Sequence, residues 1–243
     1  MSLDHLALLA DDLDQFIDAV ATGPLDEPIA GCPGWDVAAL GAHLGGVHRW
    51  VLAALATGAA PATGAVPPPP TEVDSRLLPW LRQGSDALLD ALASLDPDAP
   101  TWHPFPVEPK LAGLWRRRQA QEASVHRWDA QRAVGMTPRI EAEFAADGVD
   151  EYWTVMLPRM LLREQRATPG TRLAVVATDT GHRWAVDGST GLPVVLAPDA
   201  DVPTELHGSA EALLLTLWGR PTEAISVHGD ADVAADWLRL GGA

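Results

Sequence analysis

Glu122 and His126 stand four residues apart in a stretch with helical periodicity, so their side chains leave one helix face a single turn apart. A carboxylate and an imidazole in that relation can bind one divalent ion without bending the backbone. A catalytic zinc site uses three protein ligands and keeps a fourth position for water or substrate, and two histidines with one carboxylate form such a set. The third ligand has to come from another helix, and His43 is the natural candidate. Asp129, three residues past His126, shares the stripe and can orient a ligand imidazole from behind. The same residues also have a plainer reading. A Glu-x-x-x-His pair is commonly a solvated or salt-bridged face, and a histidine in an Ala, Leu and Gly-rich helix is commonly a packed, hydrogen-bonded core residue. Spacing alone leaves both readings open.

The elements that must position these residues follow from apolar periodicity and its punctuation. Residues 3–22 place Leu6, Leu9, Leu13, Phe16, Ile17 and Val20 at helical spacing. The turn Gly31-Cys32-Pro33-Gly34-Trp35 follows, then Asp36 as N-cap of a helix from Val37 to about Thr57, stopped by Gly58. Pro61 to Pro70 is a stiff loop. A third helix is predicted over about Glu72–Leu95, where Pro79 marks a kink or a late start. After a proline-rich loop at 97–109, a fourth helix runs from about Leu111 to Val134 and closes at Gly135. A fifth spans about Glu141–Glu164 and should kink at Pro158. From Thr171 the texture turns to strands at 171–178, 182–187, 193–196 and 224–228, with helices at 209–218 and 232–240. The expected domains are therefore a helical bundle over 1–165 and a small α+β domain over 171–243.

The totals narrow the function classes. The 243 residues carry a formal net charge of −16, which repels a phosphate backbone, and the densest basic run is only Arg116-Arg117-Arg118. Nucleic acid is not an expected partner. Cys32 is the only cysteine, so an intrachain disulfide is excluded and a reducing, cytoplasmic setting is expected. Neither a signal peptide nor a membrane span is read in the chain. There is no Gly-x-Ser-x-Gly elbow and no glycine-rich phosphate loop. Cys32 itself reads as a buried, inert thiol in its Pro-Gly turn. His48 lies five residues past His43, about 140° round the helix, and does not share its ion. Trp50, seven residues past His43, is the tryptophan expected near a pocket.

The text around the candidate ligands resembles the mycothiol-dependent maleylpyruvate isomerase family. Pro33-Gly34-Trp35-Asp36-Val37 is followed by Ala42-His43-Leu44, then Glu122-Ala-Ser-Val-His126-Arg127-Trp128-Asp129-Ala130. Ala146-Asp147-Gly148-Val149-Asp150-Glu151, Gly208-Ser209-Ala210 and Leu217-Trp218-Gly219-Arg220 continue the likeness in the same order. The resemblance implies α plus α+β architecture: a DinB-like four-helix bundle with an extra helix, followed by a small sterol-carrier-like α+β domain. It implies that His43, Glu122 and His126 bind one zinc ion, that mycothiol is the thiol cosubstrate, and that Arg220 stands near the substrate as a catalytic residue. Read by itself, Arg220 is a helix-end cation beside the last carbonyls. Relatives carry a histidine immediately before the ligand glutamate, where this chain has Gln121, and that departure bears on substrate identity.

The expected function is then a zinc-dependent enzyme that activates mycothiol as thiolate toward an electrophilic small molecule, as a transferase or a cis–trans isomerase. Some electrophile other than maleylpyruvate is favoured, and the expected assembly is a monomer or homodimer. The alternative is a non-catalytic metal-binding sensor, or a module that binds a partner or ligand.

Overall fold

The computed structural model describes residues 3–71, 73–220, 222 and 225–241. By compactness the chain parts into two units, one of residues 1–104 with 108–138, the other of residues 105–107 with 139–243.

The first unit is built on four helices: α1 (His5–Thr22), α2 (Val37–Thr57), α3 (Val73–Ser94) and α4 (Gly113–Ala133). α1 packs on α3 and α4, and α2 packs on α3 and α4. Capping follows the sequence signals. Asp36 accepts from the Ala39 N–H at 2.7 Å, opening α2, and Gly58 closes it in the left-handed region at φ 62°. Gly135, at φ 80°, ends α4 while the Met136 N–H returns to the Gln131 carbonyl at 2.8 Å. α3 runs unbroken past Pro79, so the proline neither delays the helix nor ends it. The predicted start at Glu72 lies outside the described residues.

α1, α2 and α3 turn leucine-rich stripes inward, as their spacing requires. α4 does not follow that pattern. It is buried on almost every side from Trp115 to Gln131, yet it carries Arg118, Gln119, Gln121, His126, Arg127, Asp129 and Gln131 into the interior. Buried polar groups have to be paired to be tolerated. Arg127 Nε donates to Asp12 of α1 at 2.6 Å and its NH1 to Gln131 at 2.7 Å, while Gln131 donates to Gln15 at 3.2 Å. A helix this polar at the centre of a bundle signals a site.

The second unit holds α5 (Ala142–Glu151), a π turn (Tyr152–Met156), α6 (Leu157–Glu164), α7 (Ala210–Leu217), α8 (Ala231–Leu238) and a five-stranded sheet. The strands are β1 (Arg172–Ala177), β2 (Arg183–Asp187), β3 (Val194–Val195), β4 (Glu205–Gly208) and β5 (Ser226–His228), in the order β3-β2-β1-β4-β5. β1 and β4 are parallel and the other pairs antiparallel. The predicted start of the last strand at Ala224 lies outside the described residues. β4 was not anticipated: it is short, mixes Glu205 and His207 with Leu206, and exists through its pairing with distant β1.

Two expectations change here. The division falls at Pro138/Arg139 and not at 164–170, so the fifth helix belongs with the sheet. Its approach is tied to the first turn of α7, where Glu211 accepts from the Ile140 N–H at 2.9 Å and from Arg139 at 3.3 Å, and α5 then packs on α7. The fifth helix is also interrupted before Pro158. Proline has no N–H to offer the preceding turn; the chain adopts a π turn there and α6 restarts with Pro158 in its first turn.

Candidate metal centre

The site is built on the first unit, from α4, α2 and the loop between α1 and α2. In that loop the Trp35 N–H returns to the Cys32 carbonyl at 3.0 Å, with Pro33 second and Gly34 third at φ 84°. This is the chemistry of a type II turn, which needs a residue tolerant of positive φ at its third position. The turn brings Cys32 and Trp35 to the same end of the bundle as His43.

The spacing of α4 places Glu122 beside His126, and α2 brings His43 across to meet them. His43 Nε2 stands 3.2 Å and His126 Nε2 3.5 Å from Glu122 Oε1. One ligand atom from each of the three residues lies within 4.8 Å of the other two. Donors at about 2.0–2.1 Å from a tetrahedral zinc stand about 3.3–3.4 Å from one another. The two separations to the shared oxygen bracket that value and the third is within 4.8 Å, so the three side chains form a group that could hold one ion.

The supporting groups fix which atoms face inward. Arg118, one turn before Glu122 and itself only 4% exposed, donates to Oε2 at 3.1 Å and leaves Oε1 for the histidines. Behind His126, Asp129 Oδ2 lies 3.2 Å from Nδ1. An ionised carboxylate only accepts, so Nδ1 carries a proton, and Nε2, which faces Glu122, is the atom that an ion would take in exchange for its own proton. Cys32 Sγ stands 3.8 Å from the same Oδ2. Trp35 lies beside the cluster, its ring 4.8 Å from that of His43 and 6.5 Å from that of His126, roughly parallel to the latter.

Charge follows from these contacts. Burial opposes ionisation of Glu122, but hydrogen bonds with His126 and His43 and the Arg118 guanidinium outweigh it and hold the carboxyl well below its ordinary range. Burial also opposes protonation of His126, yet the bonds to Asp129 and Glu122 prevail and raise its pKa above 6.5. The cluster thus presents one carboxylate with neighbouring imidazole charge, an arrangement in which a cation can replace a proton.

Of the residues singled out from sequence, His43, Glu122 and His126 come together. Arg220 lies in the second unit, buried just past α7, where its NH1 donates to the Trp218 carbonyl at 2.7 Å. Gly219 before it takes φ 73°, and the Arg220 N–H returns to the Leu215 carbonyl at 2.8 Å, the geometry of a helix end. Trp50 is not at the cluster: its ring neighbours are Trp102 and Trp115, at 6.1 Å each. Seven residues return a helix to nearly the same face but advance it about 10 Å along the axis. Trp35 occupies the place expected of Trp50. Arg118 was also missed, although its i, i+4 relation to Glu122 was readable. Cys32 is buried as expected, but it sits against Asp129.

No helix among the described residues is long and apolar enough to cross a membrane. Comparison with known proteins agrees with the fold. Two solved structures superpose over 92% of this chain and 91% of their own. One is a mycothiol-dependent maleylpyruvate isomerase, at 16% identity and a TM-score of 0.58. The other is a histidine-to-alanine mutant of a mycothiol-dependent maleylpyruvate isomerase, at 15% identity and 0.57. No curated protein sequence matches the chain. The family model of the mycothiol maleylpyruvate isomerase N-terminal domain matches residues 6–131, from the first helix almost to the end of the one that carries Glu122 and His126. That match covers just over half of the chain, which therefore belongs to the mycothiol maleylpyruvate isomerase family.

Proposed function

We propose that this protein is a zinc-dependent enzyme that holds mycothiol, a low-molecular-weight thiol, as its thiolate for addition to an electrophilic small molecule. The observation that carries the reading is the spacing of His43, Glu122 and His126, at 3.2 and 3.5 Å through a shared carboxylate oxygen. A zinc ion held by two neutral imidazoles and one carboxylate keeps a net positive charge and favours the thiolate form of a bound thiol. Arg118 and Asp129 hold the ligand atoms in place, and Trp35 offers an apolar ring beside them. Arg220 is proposed to hold a carboxylate of the substrate, a role taken from the family likeness.

Two reactions follow from one thiolate. It can add to a conjugated double bond, allow rotation about the resulting single bond, and leave, which isomerises a cis acid to trans. It can also add and stay, giving an S-conjugate. Zinc-loaded protein assayed against a panel of electrophiles, with and without mycothiol, tests the proposal. Turnover that requires the thiol supports it; a zinc-loaded protein with no thiol-dependent turnover on any electrophile refutes it. The second reading, a metal-binding sensor, is favoured by one observation: Cys32, His126 and Asp129 form another buried group whose ligand atoms lie within 4.8 Å of one another.

A further inference from the structure

α2 and α4 meet antiparallel and in register. His43 of α2 faces Glu122 of α4, Nε2 to Oε1 at 3.2 Å, and Trp50 faces Trp115 with ring centroids 6.1 Å apart. Seven residues separate the two positions on each helix, and the order is reversed. Seven residues make about two turns and about 10 Å of rise. The seam between the helices therefore has the metal cluster at one end and an aromatic group at the other. There the half-buried rings of Trp50 and Trp102 stand 6.1 Å apart, and buried Trp115 fixes Trp102 by donating from Nε1 to its carbonyl at 3.0 Å.

Between the two ends α2 carries Gly46, three residues after His43 and four before Trp50, so all three leave one face of the helix. A methyl added at Gly46 would meet no atom of the described residues within 4 Å. Its neighbour Gly45 differs, since a methyl there would run into the Trp80 ring of α3. Helix packing demands a glycine at 45 and makes no such demand at 46. Gly46 lies well inside α2, where glycine is less stable than alanine. The fold gains nothing from the missing side chain. What its absence leaves is open space on the line from the metal cluster to the tryptophans.

We propose that this space seats the non-reacting part of the thiol. Mycothiol is a cysteine joined through an amide to a pseudodisaccharide. With its sulfur at the His43–Glu122–His126 centre, its rings would lie along α2 over Gly46 and pack on Trp50 and Trp102. The inference rests on the proposed function and names the surface that recognises its thiol. Length and chemistry select this occupant. An amino-acid thiol held at the cluster is too short to reach rings about 10 Å along the axis, whereas a thiol with two further rings spans that distance. Tryptophan offers a broad apolar face with a donor at its edge, which matches a sugar ring that is apolar on its C–H faces and polar at its rim.

Calorimetry on the zinc-loaded full chain, with mycothiol and with N-acetylcysteine, tests it. The parent should bind mycothiol at least about tenfold more tightly than the short thiol. Gly46→Leu should take up zinc and bind N-acetylcysteine as the parent does, while its mycothiol affinity falls about tenfold. Trp50→Leu should show the same selective loss, and Trp50→Phe, which keeps a flat ring, should recover most of it. Gly46→Ala should raise the melting temperature of the metal-free protein by about 2–4 °C, which a glycine required by packing would not do. Parental mycothiol affinity in a folded Gly46→Leu, an equal loss for both thiols, or a parent that binds the two thiols alike overturns the proposal. If Trp50→Leu does not fold, the Gly46 variants decide. A zinc-loaded parent that binds neither thiol refutes the proposed function, and this inference with it.

Discussion

Replacing Asp129 with asparagine isolates what holds His126 in its ligand tautomer. The Asp129 side chain is wholly buried and its Oδ2 accepts from His126 Nδ1 at 3.2 Å. Hydrogen bonds to an ionised group contribute about 1.5–3 kcal/mol against about 1 for a neutral pair, so the exchange removes about 1–2 kcal/mol. No solvent screening reduces that difference at a buried site. The amide can also turn its NH2 toward Nδ1, which forces the ring proton onto Nε2, the ligand atom. Together these effects weaken zinc binding about 10–100-fold, the range seen when groups behind a ligand histidine are changed. Competition with a chromophoric chelator measures the affinity, and circular dichroism confirms the fold. Cys32→Ala is the control: its thiol donates weakly to the same oxygen at 3.8 Å, so less than about a threefold change is expected. A folded Asp129→Asn protein that binds zinc within twofold of the parent would refute the reasoning.

Other outcomes follow from the same structure. A proton on His126 competes with the metal, and the pKa of that residue in the metal-free protein is raised above 6.5. Zinc affinity should therefore begin to fall on acidification at a pH already above 6.5, and Asp129→Asn should shift that fall to lower pH; chelator competition across a pH series reads both. Arg127→Met leaves Asp12 buried without the partner now at 2.6 Å and should cost about 3–5 kcal/mol in denaturant unfolding, while zinc stoichiometry stays unchanged. Pairing it with Asp12→Leu should restore most of the loss, because neither partner is then left stranded.

Local signals made most of the fold readable. Asp36, Gly58 and Gly135 punctuate α2 and α4 because capping and left-handed termination depend on the residue at the cap itself. β4 and the allegiance of the fifth helix were not readable, since the first depends on pairing with β1 and the second on Glu211 and α7, all distant in sequence. At the site, the Glu122–His126 relation is fixed by helical geometry, and its meeting with His43 was legible through the family resemblance. The exchange of Trp50 for Trp35 shows the limit of facial periodicity. It gives the direction of a side chain but not its height along the bundle, and Trp35 reaches the cluster from a turn that has no period at all.

The central claim is that His43, Glu122 and His126 together bind one divalent ion. Elemental analysis of the purified protein beside a His43→Ala, His126→Ala double variant tests it most directly. Close to one zinc per parental chain and almost none in a folded double variant is the expected result. Near-zero metal in the parent after zinc loading, or full retention in the double variant, would contradict it.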